Sequence, residues 1–401
     1  MTAEHTTAGP EGGPSSSSAP APASATPSEQ PVPRLLIIGA GFAGIWAAIA
    51  AAESTAVAGA AVRIDVVNPT DDFVVRPRLY EAAPADKTVP LRDILEPRRV
   101  GHIKARVTGI DVDARAVTVV DDGGADWQIT YDRLILAAGS RLNRPPIDDT
   151  HLHDIDTVDA ATALDRRLAD LRPGATIVVV GAGFTGIELA TELPSRVPSA
   201  RIVLLDRADE LAASLGPGPR PQIRTALDEL GVEVRTGAGV VAYDGTTLDL
   251  TDGASLDAEV VVWTAGMSAS PLTAMVSADL DPLGRLAVDQ HLRVGDAPGV
   301  FAAGDTAAPL DESGHPVTQS AQHAIPQGTC AGRNAMADLL GGELTELATL
   351  PYGTCLDLGA AGAVYTEGWD RRVVLVGEEA KALKRDINTV WLYPPLGVTT
   401  A

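Results

Sequence analysis

Apolar positions bunch most tightly at two places in the chain. Leu35-Leu36-Ile37-Ile38 runs directly into Gly39-Ala40-Gly41-Phe42-Ala43-Gly44, and Ile177-Val178-Val179-Val180 runs into Gly181-Ala182-Gly183-Phe184-Thr185-Gly186. A short unbroken apolar run bounded by glycine predicts a strand buried on both faces. Each run is followed by an alanine-rich stretch that predicts a helix, over 45–53 and 187–193. Residues 62–68 alternate and predict the next strand of the first unit, and 201–206 predict its counterpart in the second. Two further apolar strands, 131–140 and 260–266, end on small residues, as does 299–305. The predicted fold class is α/β, with two Rossmann-like dinucleotide-binding domains and a small C-terminal α+β region.

Strand, G-x-G-x-x-G and helix in immediate succession have a physical purpose. The first glycine permits the sharp turn, the second lets a pyrophosphate approach the backbone, and the third lets helix and strand pack closely. The phosphates then rest on free amide groups at the positive end of the helix dipole. Gly39, Gly41 and Gly44 are the candidates in the first copy, and Gly181, Gly183 and Gly186 in the second. An acidic residue that ends the second strand accepts hydrogen bonds from a ribose. Asp206, twenty positions past Gly186, suits this role and favours NADH over NADPH, with Arg207 beside it working in the other direction. Asn68 holds the matching place in the first copy, where its amide can still bond a hydroxyl. Ala138, Gly139 and Gly266 end strands on small residues that admit a cofactor, and Asp305 after Gly304 offers a carboxylate to a polyol. Arg76 and Arg78, around Pro77, are either binding residues for a cofactor phosphate or substrate, or solvated surface arginines.

The remaining pattern fills in the connections. Short strands are expected over 107–120 and 127–131 with a turn at 121–124, then a helix over 222–230 after a proline-broken stretch. Residues 319–328 open a helix that continues to 340, and 352–393 read as two strands, a polar helix near 378–385 and an apolar end. Residues 1–33, rich in Pro, Ser and Ala, are expected to be disordered. Of 401 residues, 45% are hydrophobic and the net charge is -22, a balance that repels nucleic acid and anionic membranes. No apolar stretch has the length of a membrane span, so no integral membrane anchor is expected. The two cysteines, Cys330 and Cys355, form no C-x-x-C, which removes a local dithiol or a zinc site, and no metal is expected. Free thiols fit a cytoplasmic location. Both thiols, like Trp46 and Trp263, are read as packing groups.

The two fingerprints, Leu136-Ala137-Ala138-Gly139, Trp263-Thr264-Ala265-Gly266, Phe301-Ala302-Ala303-Gly304-Asp305 and Ala321-Gln322-His323-Ala324 occur in one order. In that order the chain resembles the two-dinucleotide-domain flavoprotein reductases, and within them the type II NADH dehydrogenase branch that lacks a redox disulfide. The resemblance implies an FAD-binding domain over 34–145 and 267–345, an NAD(P)H-binding domain over 146–266 and a C-terminal interface region over 346–401. It implies that Gly39, Gly41 and Gly44 hold the FAD pyrophosphate and Asp305 the ribityl chain, with Ala324 in the element beside the flavin. It implies too that Gly181, Gly183, Gly186 and Asp206 hold the nicotinamide nucleotide, and that Glu188 orients its ring. Gln322 and Gln327 match the family's element beside flavin and quinone, but Pro326 stands where the first of its paired glutamines belongs. Members that use membrane quinones carry an amphipathic C-terminal anchor, which the residues after Tyr393-Pro394-Pro395 are not expected to form, so membrane quinone is not the expected acceptor. The implied activity is hydride transfer from NADH to FAD, then electron delivery to a quinone-like or other small acceptor. His323 is the candidate proton donor, set against a capping or merely buried imidazole. Two other readings stand beside this one, a reductase of an electron-carrier protein such as a ferredoxin or rubredoxin, and a non-catalytic FAD/NADH redox sensor. A homodimer is compatible with all three.

Overall fold

A computed structural model of the chain describes Gly9 and residues 32–311, 313–348 and 351–397. The tail expected to be disordered falls outside the described residues, apart from Gly9, Val32 and Pro33.

Two parallel sheets repeat one plan. In the first, the strands lie in the order Val300–Ala302, Arg133–Leu136, Arg34–Ile38, Arg63–Asn68, Gly101–Lys104. The second runs Val260–Trp263, Thr176–Val180, Arg201–Leu205, Glu233–Arg235, the same order without the outermost strand. The repeat seen in the glycine motifs therefore extends to topology. Leu35, Leu36 and Ile37 are fully buried, as are Ile177, Val178 and Val179, because helices and ribbons cover both faces of each sheet.

The first sheet carries helix α1 (Phe42–Ala58) and the short α2 (Leu91–Leu95). The second carries α3 (Val158–Ala169), α4 (Phe184–Arg196) and α5 (Arg220–Glu229). Helix α6 (Ala321–Leu340) returns the chain to the first sheet and lies along α1. Its contact is backbone-close: a side chain on Gly328 would strike the Ala43 carbonyl, and one on Gly332 the Ala47 carbonyl. The alanine richness of α1 has its cause here, since a helix pressed between a sheet and another helix has no room for larger groups.

The antiparallel ribbon has its expected place, as strands Arg106–Asp111, Ala116–Val120 and Asp126–Thr130. The two parallel-sheet regions are joined by a second small pair, Ser140–Leu142 against Met267–Ala269. The C-terminal region departs from expectation. It holds three antiparallel strands, Gly353–Asp357, Ala363–Glu367 and Arg372–Val376, before α7 (Gly377–Asp386). Two glycines with positive φ, Gly359 and Gly362, make the tight first turn that a reading of two strands passes over.

Candidate active site

Each glycine fingerprint is built to leave one side open. A Cβ on Gly39 would collide with the Ala137 carbonyl and one on Gly44 with the Gly39 carbonyl, so these two serve the turn and the packing. Gly41 has nothing within 4 Å of its missing side chain. The second copy behaves alike, with Gly181 against Ala265, Gly186 against the Gly181 carbonyl, and Gly183 open. Helices α1 and α4 begin at these open glycines with no side-chain cap and no acidic residue in the first turn. Free amides at a helix start, facing space that only glycine leaves clear, fit the pyrophosphate of a dinucleotide.

The ribose-side residues are equivalent as well. Asn68 accepts from the Ala40 amide at 3.1 Å, and Asp206 accepts from the Ala182 amide at 2.5 Å. In each copy the side chain that ends the second strand thus braces the peptide between the first two glycines. The other Asp206 oxygen accepts from the Ala208 amide at 2.8 Å. Thr264, after the Val260–Trp263 strand, donates to the Val180 carbonyl at 2.8 Å and anchors the second turn, a role the sequence reading missed.

Around the first cradle, Gly304 takes φ 70°, and its amide donates to the side-chain Oε1 of the buried Gln327 at 2.7 Å. Gln327, expected beside flavin and quinone, is therefore a brace for the Gly304-Asp305 turn. Ser140 donates to one oxygen of the Asp305 carboxylate at 2.6 Å. Ala324 faces the space that a Gly304 side chain would fill. Gly139 and Gly266 both take positive φ at strand ends, with Ala138 half-buried beside the first. Gln322 reaches the Pro351 carbonyl at 3.1 Å. Arg76 pairs with Asp156 and donates to Ser140 at 2.9 Å, so it supports the Asp305 side from behind. Arg78 is likewise committed, to Glu81 at 2.6 Å and to the Tyr393 hydroxyl.

His323 is buried; its amide is capped by Ser320, whose hydroxyl also lies 2.9 Å from Nδ1. Burial lowers its pKa, which disfavours the charged imidazolium. That geometry favours the capping and packing reading over proton donation. Burial likewise pushes the Cys330 and Cys355 thiols up to about 11, and both are free.

Glu188, expected to orient a nicotinamide, is buried in an ion pair with Lys384 of α7 at 2.8 Å and also accepts from the Asp357 amide. Burial raises the Glu188 pKa while Lys384 pulls it back; for Lys384, burial works downward but Glu188 raises the pKa on balance. Lys381 pairs with Asp357 at 2.5 Å, and Tyr80 donates to the same carboxylate at 3.1 Å. This network joins the nucleotide helix α4, the C-terminal strands and the loop after Arg78. Lys384 was not legible in advance, because a lysine on a polar helix reads as surface, nor was Tyr80, whose partner Asp357 lies 277 residues away.

Two cradles on repeated parallel sheets, with a C-terminal region packed against the second of them, fit a protein that takes two dinucleotides. Residues 33–328 match the pyridine nucleotide-disulphide oxidoreductase family model. An NADH dehydrogenase-like protein of Mycobacterium tuberculosis is 43% identical over 388 residues, covering 92% of this chain and 96% of its own length. The demethylphylloquinone reductase of Synechocystis is 29% identical, covering 83% of this chain and 86% of its own. NDH2 from Plasmodium falciparum shares the fold with a TM-score of 0.76 at 13% identity, over 90% of this chain and 95% of its own. The chain belongs to the pyridine nucleotide-disulphide oxidoreductase family, as an enzyme of its FAD- and NAD(P)-dependent, NADH dehydrogenase-like branch. Among the described residues, no helix is long and apolar enough to cross a membrane.

Proposed function

We propose that the enzyme passes a hydride from NADH to FAD and then electrons to a small quinone-like acceptor, so that NADH, a proton and the quinone yield NAD⁺ and the quinol. The pair of open glycines, Gly41 and Gly183, carries this reading, because it provides one pyrophosphate cradle for each of two dinucleotides. Gly39, Gly41 and Gly44 hold the FAD pyrophosphate, Asn68 faces its ribose and Asp305 its ribityl chain. Gly181, Gly183, Gly186 and Asp206 hold NADH in preference to NADPH. The corresponding parts are 34–145 with 267–345 for FAD, 146–266 for NADH and 346–401 for the interface.

Bound FAD supplies two-electron hydride acceptance and onward electron delivery, while the protein supplies position and exclusion of side reactions. Here the protein's part is stiffness. Gln327 and Ser140 fix the Gly304-Asp305 turn, Asp206 and Thr264 fix the second cradle, and Lys384 locks α4 to the C-terminal region. The free, high-pKa cysteines support an external acceptor in place of an internal disulfide. A cytoplasmic setting agrees with those thiols and with the acidic composition. Relatives named as quinone oxidoreductases and a phylloquinone-type reductase support a quinone-like acceptor. Steady-state oxidation of NADH tests this: menadione should sustain many turnovers with ping-pong kinetics, and turnover only with a ferredoxin or rubredoxin would contradict it.

A further inference from the structure

The turn between strands Ala363–Glu367 and Arg372–Val376 carries a polar group that nothing described so far explains. Arg371 sits there at φ 51°, a backbone region that long side chains seldom take. The turn is tied down on several sides. The Gly368 amide donates to the Tyr352 carbonyl at 2.8 Å, Trp369 Nε1 donates to Asp311 at 2.7 Å, and a side chain on Gly218 would collide with the Arg371 carbonyl.

The Arg371 guanidinium lies 5.2 Å from the Phe184 ring centre and 5.3 Å from that of Tyr352. Tyr352 in turn stacks on His323 at 5.8 Å. Arg371 Nη1 and the Tyr352 hydroxyl are both fully buried with no hydrogen-bond partner among the described residues. Native interiors avoid such groups, so two of them side by side point to an absent acceptor.

Their location identifies it. Phe184 opens α4 directly after the open Gly183, and His323 lies in the first turn of α6 next to the Gly304 turn. The row Phe184, Arg371, Tyr352, His323 therefore links the mouths of the two cradles, where the two redox rings must meet. Asp206 marks the opposite, adenosine end of the second cradle. The acceptor atom that a nicotinamide brings to the meeting point is its carboxamide oxygen. We propose that Arg371, supported by Tyr352, is a nicotinamide-binding residue that donates to this carboxamide, so that the C-terminal hairpin closes the ring's place. The proposal rests on the reading that the second cradle takes NADH.

Calorimetric titration of the FAD-loaded protein separates the two claims. NAD⁺ carries the nicotinamide, whereas ADP-ribose has the same adenosine and pyrophosphate without it. R371Q should weaken NAD⁺ binding about tenfold and leave ADP-ribose within about twofold, the loss of one charge-assisted hydrogen bond. Y352F keeps the ring stack and should shift the same ratio by a smaller factor; it carries the test if R371Q does not fold. An unchanged NAD⁺ to ADP-ribose ratio, whether both ligands weaken equally or neither does, overturns the proposal. A wild-type protein that binds neither ligand overturns the reading of the second cradle itself.

Discussion

Asp206 shows how much one side chain can decide. Its carboxylate closes the second glycine turn through Ala182, and in the proposed NADH site a 2′-phosphate would meet like charge there. NADH should therefore exceed NADPH in kcat/KM by at least about tenfold, and D206A should reduce that ratio while weakening NADH. Equal rates with both nucleotides would show that Arg207 governs the site instead. Asp206 was legible because its spacing from Gly186 is fixed by the length of one helix and one strand. Lys384 was not, since its burial follows from Glu188, 196 residues away. Arg76 and Gln327 stood out in the sequence, but their partners, Asp156 and Gly304, come from segments that only the folded chain brings together.

At the scale of elements, the cradle helix α1 depends on α6. Gly328 and Gly332 let the two helices meet backbone to backbone over Ala43 and Ala47. G332V forces a branched side chain into that contact and should cost about 1–3 kcal/mol, read as a lower Tm together with reduced FAD content. A fall in Tm with full FAD retention would mean that α1 holds its place without α6. The strands and helices around both fingerprints were legible because glycine placement and apolar runs act locally. The three C-terminal strands were read as two because the turn at Gly359 and Gly362, which separates the first strand from the second, carries no periodic signal.

Across the whole molecule, the buried Glu188–Lys384 pair fastens the nucleotide helix to the C-terminal region. Removing one partner strands a buried charge, so K384M should lose about 3–5 kcal/mol at neutral pH. The pH dependence has a definite sign. The Glu188 pKa is already raised by burial, and losing Lys384 raises it further. A carboxyl whose folded pKa lies above its unfolded one stabilises fully below the unfolded value, and that stability is lost as pH rises through the folded one. K384M should accordingly recover towards wild type as pH falls below neutrality, measured by denaturant unfolding. A deficit independent of pH would mean that Lys384 contributes packing alone.

The two cradles make sense as one machine only if electrons cross from one to the other and then leave. Anaerobic stopped-flow mixing of the FAD-loaded protein with NADH, followed by a second mix with menadione, observes both transfers separately. Rapid bleaching of the flavin absorbance and rapid return on menadione addition are the predicted result. A flavin that stays oxidised when NADH is added would contradict the account at its centre.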